Sequence, residues 1–351
     1  MFRKMLTERR RRLLQLIVDE YVNTAQPVGS GSVAQKHNMP YSPATIRNEM
    51  AALEDEGFIT HPHTSAGRVP TDLGYRYYVQ TLMREEKLPE DLKQTIRHQF
   101  HQAARELDEW ARLCAAIIAG RLQNAAVVST PHSSHPRLRL VELVSVHENL
   151  ALLIVVLQEA RVVQQTIPLE QPMTQDELTA LARRLNEIVG GKTAAELRAQ
   201  TAAQPGAAPT EPATPAEGAI IEATAALLET AETSMLEPSF MEGMRDLLKQ
   251  PEFARGEQLL SLLELLEERN LSRAIPTPSG EGHEIRILIG GEHPEDAMRV
   301  CSVITTRYAG PSGLQGVLSV VGPTRMDYPR AVSMVRYMSS LMEELLGVYF
   351  A

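Results

Sequence analysis

Cysteine is nearly absent: Cys114 and Cys301 are the only two in 351 residues, and they lie far apart. That count excludes a cysteine-ligated zinc finger and a disulfide framework, and it fits a reducing cytoplasm. Long apolar runs are missing too. The longest, 150–157, has the length of a strand and cannot span a bilayer. The apolar LLQLIV that follows the arginines 9–12 meets Asp19 and Glu20 too soon for a signal peptide. The chain therefore reads as soluble and cytoplasmic, with no membrane partner. There is no P-loop, and Gly29-Ser30-Gly31-Ser32 lacks the strand and spacing of a dinucleotide fingerprint. No set of nucleophile, base and orienting group is visible, so neither an enzyme nor a cofactor is expected. A protein coated in basic residues is also excluded, since the net charge is −9. The charge is unevenly spread: residues 1–84 hold 11 Lys+Arg against 8 Asp+Glu, and the remainder is strongly acidic. A mildly basic head on an acidic body suits a modular nucleic-acid binder, and the length allows two or three domains.

What is present is concentrated in residues 41–84, YSPATIRNEMAALEDEGFITHPHTSAGRVPTDLGYRYYVQTLMR. Ser42 caps a helix and Pro43 takes its first position, where the missing N–H costs nothing. The helix should run to Glu56 and stop at Gly57, a residue that tolerates the left-handed conformation. Ile46, Met50 and Leu53 share one helical stripe for burial. Ala44, Arg47, Asn48 and Ala51 point the other way, with Thr45 on the flank. This surface is small and rich in hydrogen-bonding groups, as entry into a major groove requires, and Arg47 and Asn48 can read base edges there. Ser42 and Thr45 would then meet backbone or flanking bases.

Residues 58–61 read as a strand, 63–67 as a tip carrying His63 and Ser65, and 68–71 as the return strand, with Pro70 suited to an edge. His63, Ser65 and above all Arg68 are placed to touch DNA, Arg68 at phosphate or in the minor groove. A first helix begins after Thr7 and ends near residue 23; a second, capped by Ser30 or Ser32, reaches His37. The order helix, helix, turn, helix, hairpin is that of a winged helix-turn-helix over residues 1–84. Arg9, Arg10 and Arg12 lie with Arg11 in the first turns of the first helix, where the dipole disfavours cations. A solvated face and a phosphate contact both account for them.

Beyond a polar linker at 85–89, the pattern predicts one long amphipathic helix over 90–122, a strand over 125–129, and strands over 139–147, 150–158 and 161–168. Helical spacing follows over 174–198, and the Ala/Pro/Thr-rich tract 201–218 reads as a mobile loop. Helices over 220–231 and 257–269, strands over 283–289, 301–307 and 316–322, and a helix over 328–346 complete the chain. Strands on both sides of a helical block predict one α/β domain, 85–169 and 273–351, interrupted by a mainly helical insert at 170–272. The class is α+β, multidomain.

LTERRRRLLQLIVDEYVNTAQPVGSGSVAQ, SPATIRNEMAALEDEGFI and HTSAGRVPTDLGYRYYV, with CSVITTRYAG and GVLSVVGPTRMDYPRAVSMVRYM near the other end, resemble the HrcA family of heat-inducible transcription repressors. The resemblance brackets nearly the whole chain. It implies a GAF-like body, an insert that serves dimerisation, and a homodimer that represses heat-shock chaperone operons. It also implies binding to an inverted-repeat operator in double-stranded DNA and dependence on the chaperonin. A second expectation stays open beside it, a metabolite-responsive repressor with its ligand in the GAF-like body.

His61-Pro62-His63 and the pair His132 and His135 could each offer two metal ligands, but no third stands nearby on a regular element, and wing polarity and loop solvation explain them better. The stretch 322–328 places Arg325, Asp327 and Tyr328 before a helix. It could hold an anion; the preferred reading is an N-capping turn, with Asp327 capping and Arg325 paired to it.

Overall fold

The structure, a computed structural model, describes residues 6–37, 40–62, 67–104, 106–133, 135–158, 161–201, 215–233, 239–253, 264, 274–275 and 284–349. The chain forms two compact units, one of residues 1–130, 238–308 and 317–345, the other of 131–237, 309–316 and 346–351.

The first unit opens with α1 (Glu8–Thr24). Thr7 accepts from the Arg10 amide at its start, and Ala25 closes it in a left-handed conformation, φ 52°. Leu13, Leu14, Ile17 and Val18 are buried. Next is α2 (Ser30–Lys36), whose N-cap is Gly29 and not the expected serine. Ser32 instead turns its hydroxyl to Glu20 at 2.6 Å. In α3 (Pro43–Asp55) the Ser42 hydroxyl accepts the Thr45 amide at 3.2 Å, and Ile46, Met50 and Leu53 are buried as the wheel predicts. Gly57 then takes φ 81°. The strands β1 (Ile59–Thr60) and β2 (Val69–Pro70) pair antiparallel, Ile59 opposite Pro70. Arg68 extends the pairing by a bridge to Val28. Gly67 is needed beside it, because a Cβ there would lie 2.5 Å from the Val28 carbonyl. Thr71 caps α4 (Asp72–Tyr77), and wider helical turns continue to Leu82.

The single helix expected over 90–122 is two, α5 (Glu90–Gln102) and α6 (Leu107–Leu122). Ala103 is extended at ψ 152°, which ends the first. The apolar positions of the two halves are buried, Ile96 and Phe100 in one and Trp110, Cys114 and Ile118 in the other, and periodicity alone does not register a break between them. After β3 (Ala125–Ser129) the chain enters the second unit with the short β4 (His132–Ser133).

There β5 (Leu138–His147), β6 (Leu150–Leu157) and β7 (Val162–Pro168) form a three-stranded antiparallel sheet of their own. This differs from the expected boundary at 169/170, which gave these strands to the body. A strand pattern shows which residues alternate, not which sheet they join. Here the inner face, Val141, Leu143, Leu153 and Val155, packs on Leu178, Leu181 and Leu185 of α7 (Gln175–Val189), so sheet and helices share one core. The expected helix over 174–198 breaks at Gly190-Gly191, with Gly191 at φ 79°, and resumes as α8 (Ala194–Thr201). α9 (Pro215–Thr233) follows and takes in 215–218, the end of the tract expected as a loop, as α8 takes in Thr201; the tract's 202–214 lie outside the described residues.

The chain returns to the first unit with β8 (Ser239–Glu242) and α10 (Met244–Leu248), neither of them anticipated from the sequence. Of the helix expected over 257–269, only Glu264 is described. Then come β9 (Arg286–Ile289), β10 (Cys301–Ala309), β11 (Leu314–Pro323) and α11 (Tyr328–Tyr349). The sheet runs β8-β3-β11-β10-β9, with β4 paired to the start of β11. Its centre is buried, and its interior hydroxyls satisfy one another: Thr305 bonds Ser319 and Ser302 bonds Tyr328, both at 2.7 Å.

Candidate nucleic-acid interface

The first turns of α3 are where the sequence placed base readers. Ala44, Arg47 and Asn48 are exposed, and Thr45 is half-buried with its hydroxyl 2.9 Å from that of Ser42. Among the described residues, Arg47 and Asn48 have neither a hydrogen bond nor an ion pair. The helix thus offers a guanidinium and a carboxamide from neighbouring positions on a surface otherwise made of small side chains. Tyr41, 37 % exposed, stands just before the cap. The Arg9 guanidinium lies over its ring, 5.4 Å from the centroid. Sequence reasoning passed over Tyr41; an aromatic residue beside an N-cap was the available signal.

The arginines of α1 do not act as a set. Arg10 donates from Nε to Glu49 and from Nη1 to Glu56, each at 2.8 Å, and so ties α1 to α3. Glu49 is buried. The hydrogen bond from Arg10 holds its carboxyl below the ordinary value against the opposing effect of burial. Arg9 also pairs with Glu49. Arg11 donates to the Leu6 carbonyl at 2.9 Å. Arg12 is exposed, with only a 3.4 Å contact to Gln15.

Arg68, expected at phosphate, is turned to Glu54 at 3.0 Å and its side chain is 15 % exposed. Its backbone pairs with Val28, so this residue anchors the hairpin base. His61 meets the same Glu54. His63 and Ser65 lie outside the described residues. The groups brought together at the start of α3 are therefore Ser42, Ala44, Thr45, Arg47 and Asn48, with Arg9 adjoining through Tyr41. Arg10 and Arg68 have acidic partners within the fold.

Elsewhere the chemistry is structural. Among the described residues, no three His, Cys, Asp or Glu side chains gather as a metal site. His132 is buried and His135 Nδ1 lies 2.9 Å from a Glu232 carboxylate oxygen. Both cysteines are buried; desolvation raises the Cys114 thiol and pushes that of Cys301 up to about 12, so both stay protonated. Asp327 caps α11 as expected, accepting the Arg330 amide at 3.2 Å. Arg325 does not pair with it: its guanidinium bonds Glu252, Gln250 and the Val22 carbonyl. Among the described residues, no helix is long and apolar enough to cross a membrane.

Comparison with known proteins adds a family. Residues 108–332 match the model described as the HrcA protein C terminal domain. The chain is similar to the heat-inducible transcription repressor HrcA of Chloroflexus aurantiacus, 41 % identical with 97 % of this chain and 94 % of that protein covered. It is also similar to the proteins of the same name from a Roseiflexus species, 42 % identical over 97 % and 95 %, and from Thermomicrobium roseum, 37 % identical over 97 % and 96 %. Among solved structures, a crystal structure described only as that of a hypothetical protein shares the fold. Its TM-score is 0.56 at 22 % identity, covering 98 % of this chain and 99 % of that one.

Proposed function

This chain belongs to the HrcA family of heat-inducible transcription repressors, and from that premise we propose that it represses chaperone operons by binding an inverted-repeat operator as a homodimer. The family is one of transcription regulators, not of enzymes. Residues 1–84 act as a winged helix-turn-helix whose α3 enters the major groove. The observation that carries this is the pair Arg47 and Asn48 on the exposed start of α3, without a partner among the described residues, the two side-chain types that form bidentate contacts with guanine and adenine edges. Ser42 and Thr45 meet the backbone, and Arg9 and Arg12 supply phosphate contacts from α1.

Dimerisation is the work of the insert, with the remainder of the chain a GAF-like body. The support lies on the outer face of its sheet. Leu152 of β6 stands opposite Val144 of β5, and Val156 opposite Val162 of β7. Val144 and Val162 are 41 % and 55 % exposed, and with Leu152, Ile154 and Val156 they form an apolar strip, crossed by Glu142 and Gln164, on the face away from α7. Two-fold pairing of such a strip makes both heads available to two half-sites.

The chaperonin is the proposed regulator. The larger sheet joins β3 to β11 across the inserted unit, and such distant pairing folds slowly while exposing apolar edges. When unfolded proteins occupy the chaperonin, less repressor reaches its binding form and the operon opens. The test is operator binding by protein refolded from denaturant, with and without chaperonin and ATP. A larger active fraction with chaperonin is expected; equal fractions would remove the mechanism.

A further inference from the structure

Among the described residues, hydrogen bonds at three places and one ring contact join α1 and α4 to residues 287–328. α1 has no basic residue in its last turn, where free carbonyls favour a cation. Arg325 supplies it from the turn between β11 and α11. Its Nη1 donates to the Val22 carbonyl at 3.4 Å, while Nε and Nη2 are held by Glu252 and Gln250. Asp72, at the start of α4, accepts the Gly291 amide at 2.8 Å. Arg76, in the last turn of α4, donates from Nε to Glu292 Oε1 and from Nη2 to the Ile287 carbonyl, both at 2.7 Å. Its Nη2 also reaches the second Glu292 oxygen. The buried rings of Tyr75 and Tyr328 add a contact at 5.9 Å between centroids.

The seat for α4 is built for close approach. Gly290 has φ 52°, and a Cβ on it would fall 2.3 Å from the Asp72 carboxylate. Glycine alone takes that backbone conformation without cost and leaves room for Asp72. Glu292 is fixed from its own side, since Oε2 also accepts the Ile289 amide at 2.9 Å. A pair oriented at both ends and only partly exposed differs from the mobile surface pairs that contribute little. Meanwhile α3 is bound to α1 through Arg10 and the apolar core, so whatever fixes α1 and α4 also fixes α3.

We infer that Arg76 and Arg325 are positioning residues for operator binding: seated on Glu292, Gly290 and the Val22 carbonyl, they set the angle at which the body presents α3. This rests on the reading of the chain as a dimeric operator-binding repressor. A dimer gains affinity from its second head only when both reach their half-sites together. A loosened head keeps its grip on one half-site and loses that gain.

The experiment uses the full chain and two duplexes: one with both half-sites selected by the wild-type protein, one with a half-site scrambled. The variants are Arg76→Gln, Arg76→Lys and Gly290→Ala. Hydrogen exchange of residues 72–78 and 286–292 is followed without DNA. Arg76→Gln and Gly290→Ala should weaken two-site binding about tenfold, keep one-site binding within about twofold, and speed exchange. Arg76→Lys, which keeps a cation opposite Glu292, should lose less two-site binding than Arg76→Gln. Equal losses on both duplexes, or no loss with unchanged exchange, would overturn the inference. Wild-type protein that selects no half-site would overturn the operator reading beneath it, and that failure is told apart by exchange that still quickens in the variants.

Discussion

Residues 1–84 and the inserted unit leave opposite kinds of group without partners. In the head, cations are mostly matched inside the fold: Arg10 with Glu49 and Glu56, Arg68 with Glu54, Arg76 with Glu292. Among the described residues, the side chains left without a partner include Arg47 and Asn48 on α3, both polar. In the insert the polar groups are largely satisfied: Thr174 and Glu177 close a capping box, and the Asn186 carboxamide bonds both backbone groups of Val141. Among the described residues, what stands exposed on the outer sheet face is the apolar strip on β5, β6 and β7, crossed by Glu142 and Gln164. Fold stability tends to satisfy groups of both kinds, so each exception points to a partner outside the chain. An unmatched carboxamide and guanidinium suit base edges, and an apolar sheet face suits a second copy of itself.

The comparison breaks most sharply if the apolar strip is charged. Leu152→Lys with Val156→Lys should give monomers in sedimentation and weaken operator binding on the order of a hundredfold, leaving single half-site binding unchanged. Variants that sediment as dimers would place the self-contact elsewhere.

A smaller effect separates the two sorts of arginine within the head. Arg10→Ala leaves the buried Glu49 without its main partner and should cost roughly 1–3 kcal/mol of stability by thermal denaturation. Arg47→Ala should leave stability within about 0.5 kcal/mol while weakening operator binding. If both variants changed stability alone, Arg47 would belong with the structural set.

The smallest effect is set by pH. The Glu49 carboxyl is held below its ordinary value by the Arg10 hydrogen bond, so its contribution is present above about pH 4.5, its unfolded value, and is lost as pH falls through the lower folded value. Glu49→Gln should flatten the acid limb of the stability curve below that point. An identical acid limb in both proteins would mean that the pair does not couple folding to protonation.

The head was legible because its signals are local. Ser42, Pro43 and Gly57 bracket α3, and the stripe Ile46, Met50, Leu53 faces inward at the helical period. The strands of the body and insert were legible individually and not in their grouping. β5 to β7 alternate like any half-buried strands, and only tertiary packing shows that α7 covers them. β8 is four residues long, too short for its period to register. The candidate interface was half legible. Residue type and helical position put Arg47 and Asn48 outward, but nothing local shows that Arg10 reaches acids about forty residues away or that Arg68 meets Glu54. Charge pairing across sequence distance is the part a single sequence hides. Arg325 shows the same limit: its nearest acid in sequence, Asp327, is not its partner.

The central claim is that α3 reads bases through the groups the fold leaves free, and Asn48→Ala tests it most directly. Binding of wild-type and variant protein should be measured on the selected operator and on random duplex of equal length at one salt concentration. A loss of about 1–3 kcal/mol on the operator with little change on random DNA is the predicted result. Equal losses on both would contradict base reading by Asn48 and leave α3 a helix that only positions the chain on DNA.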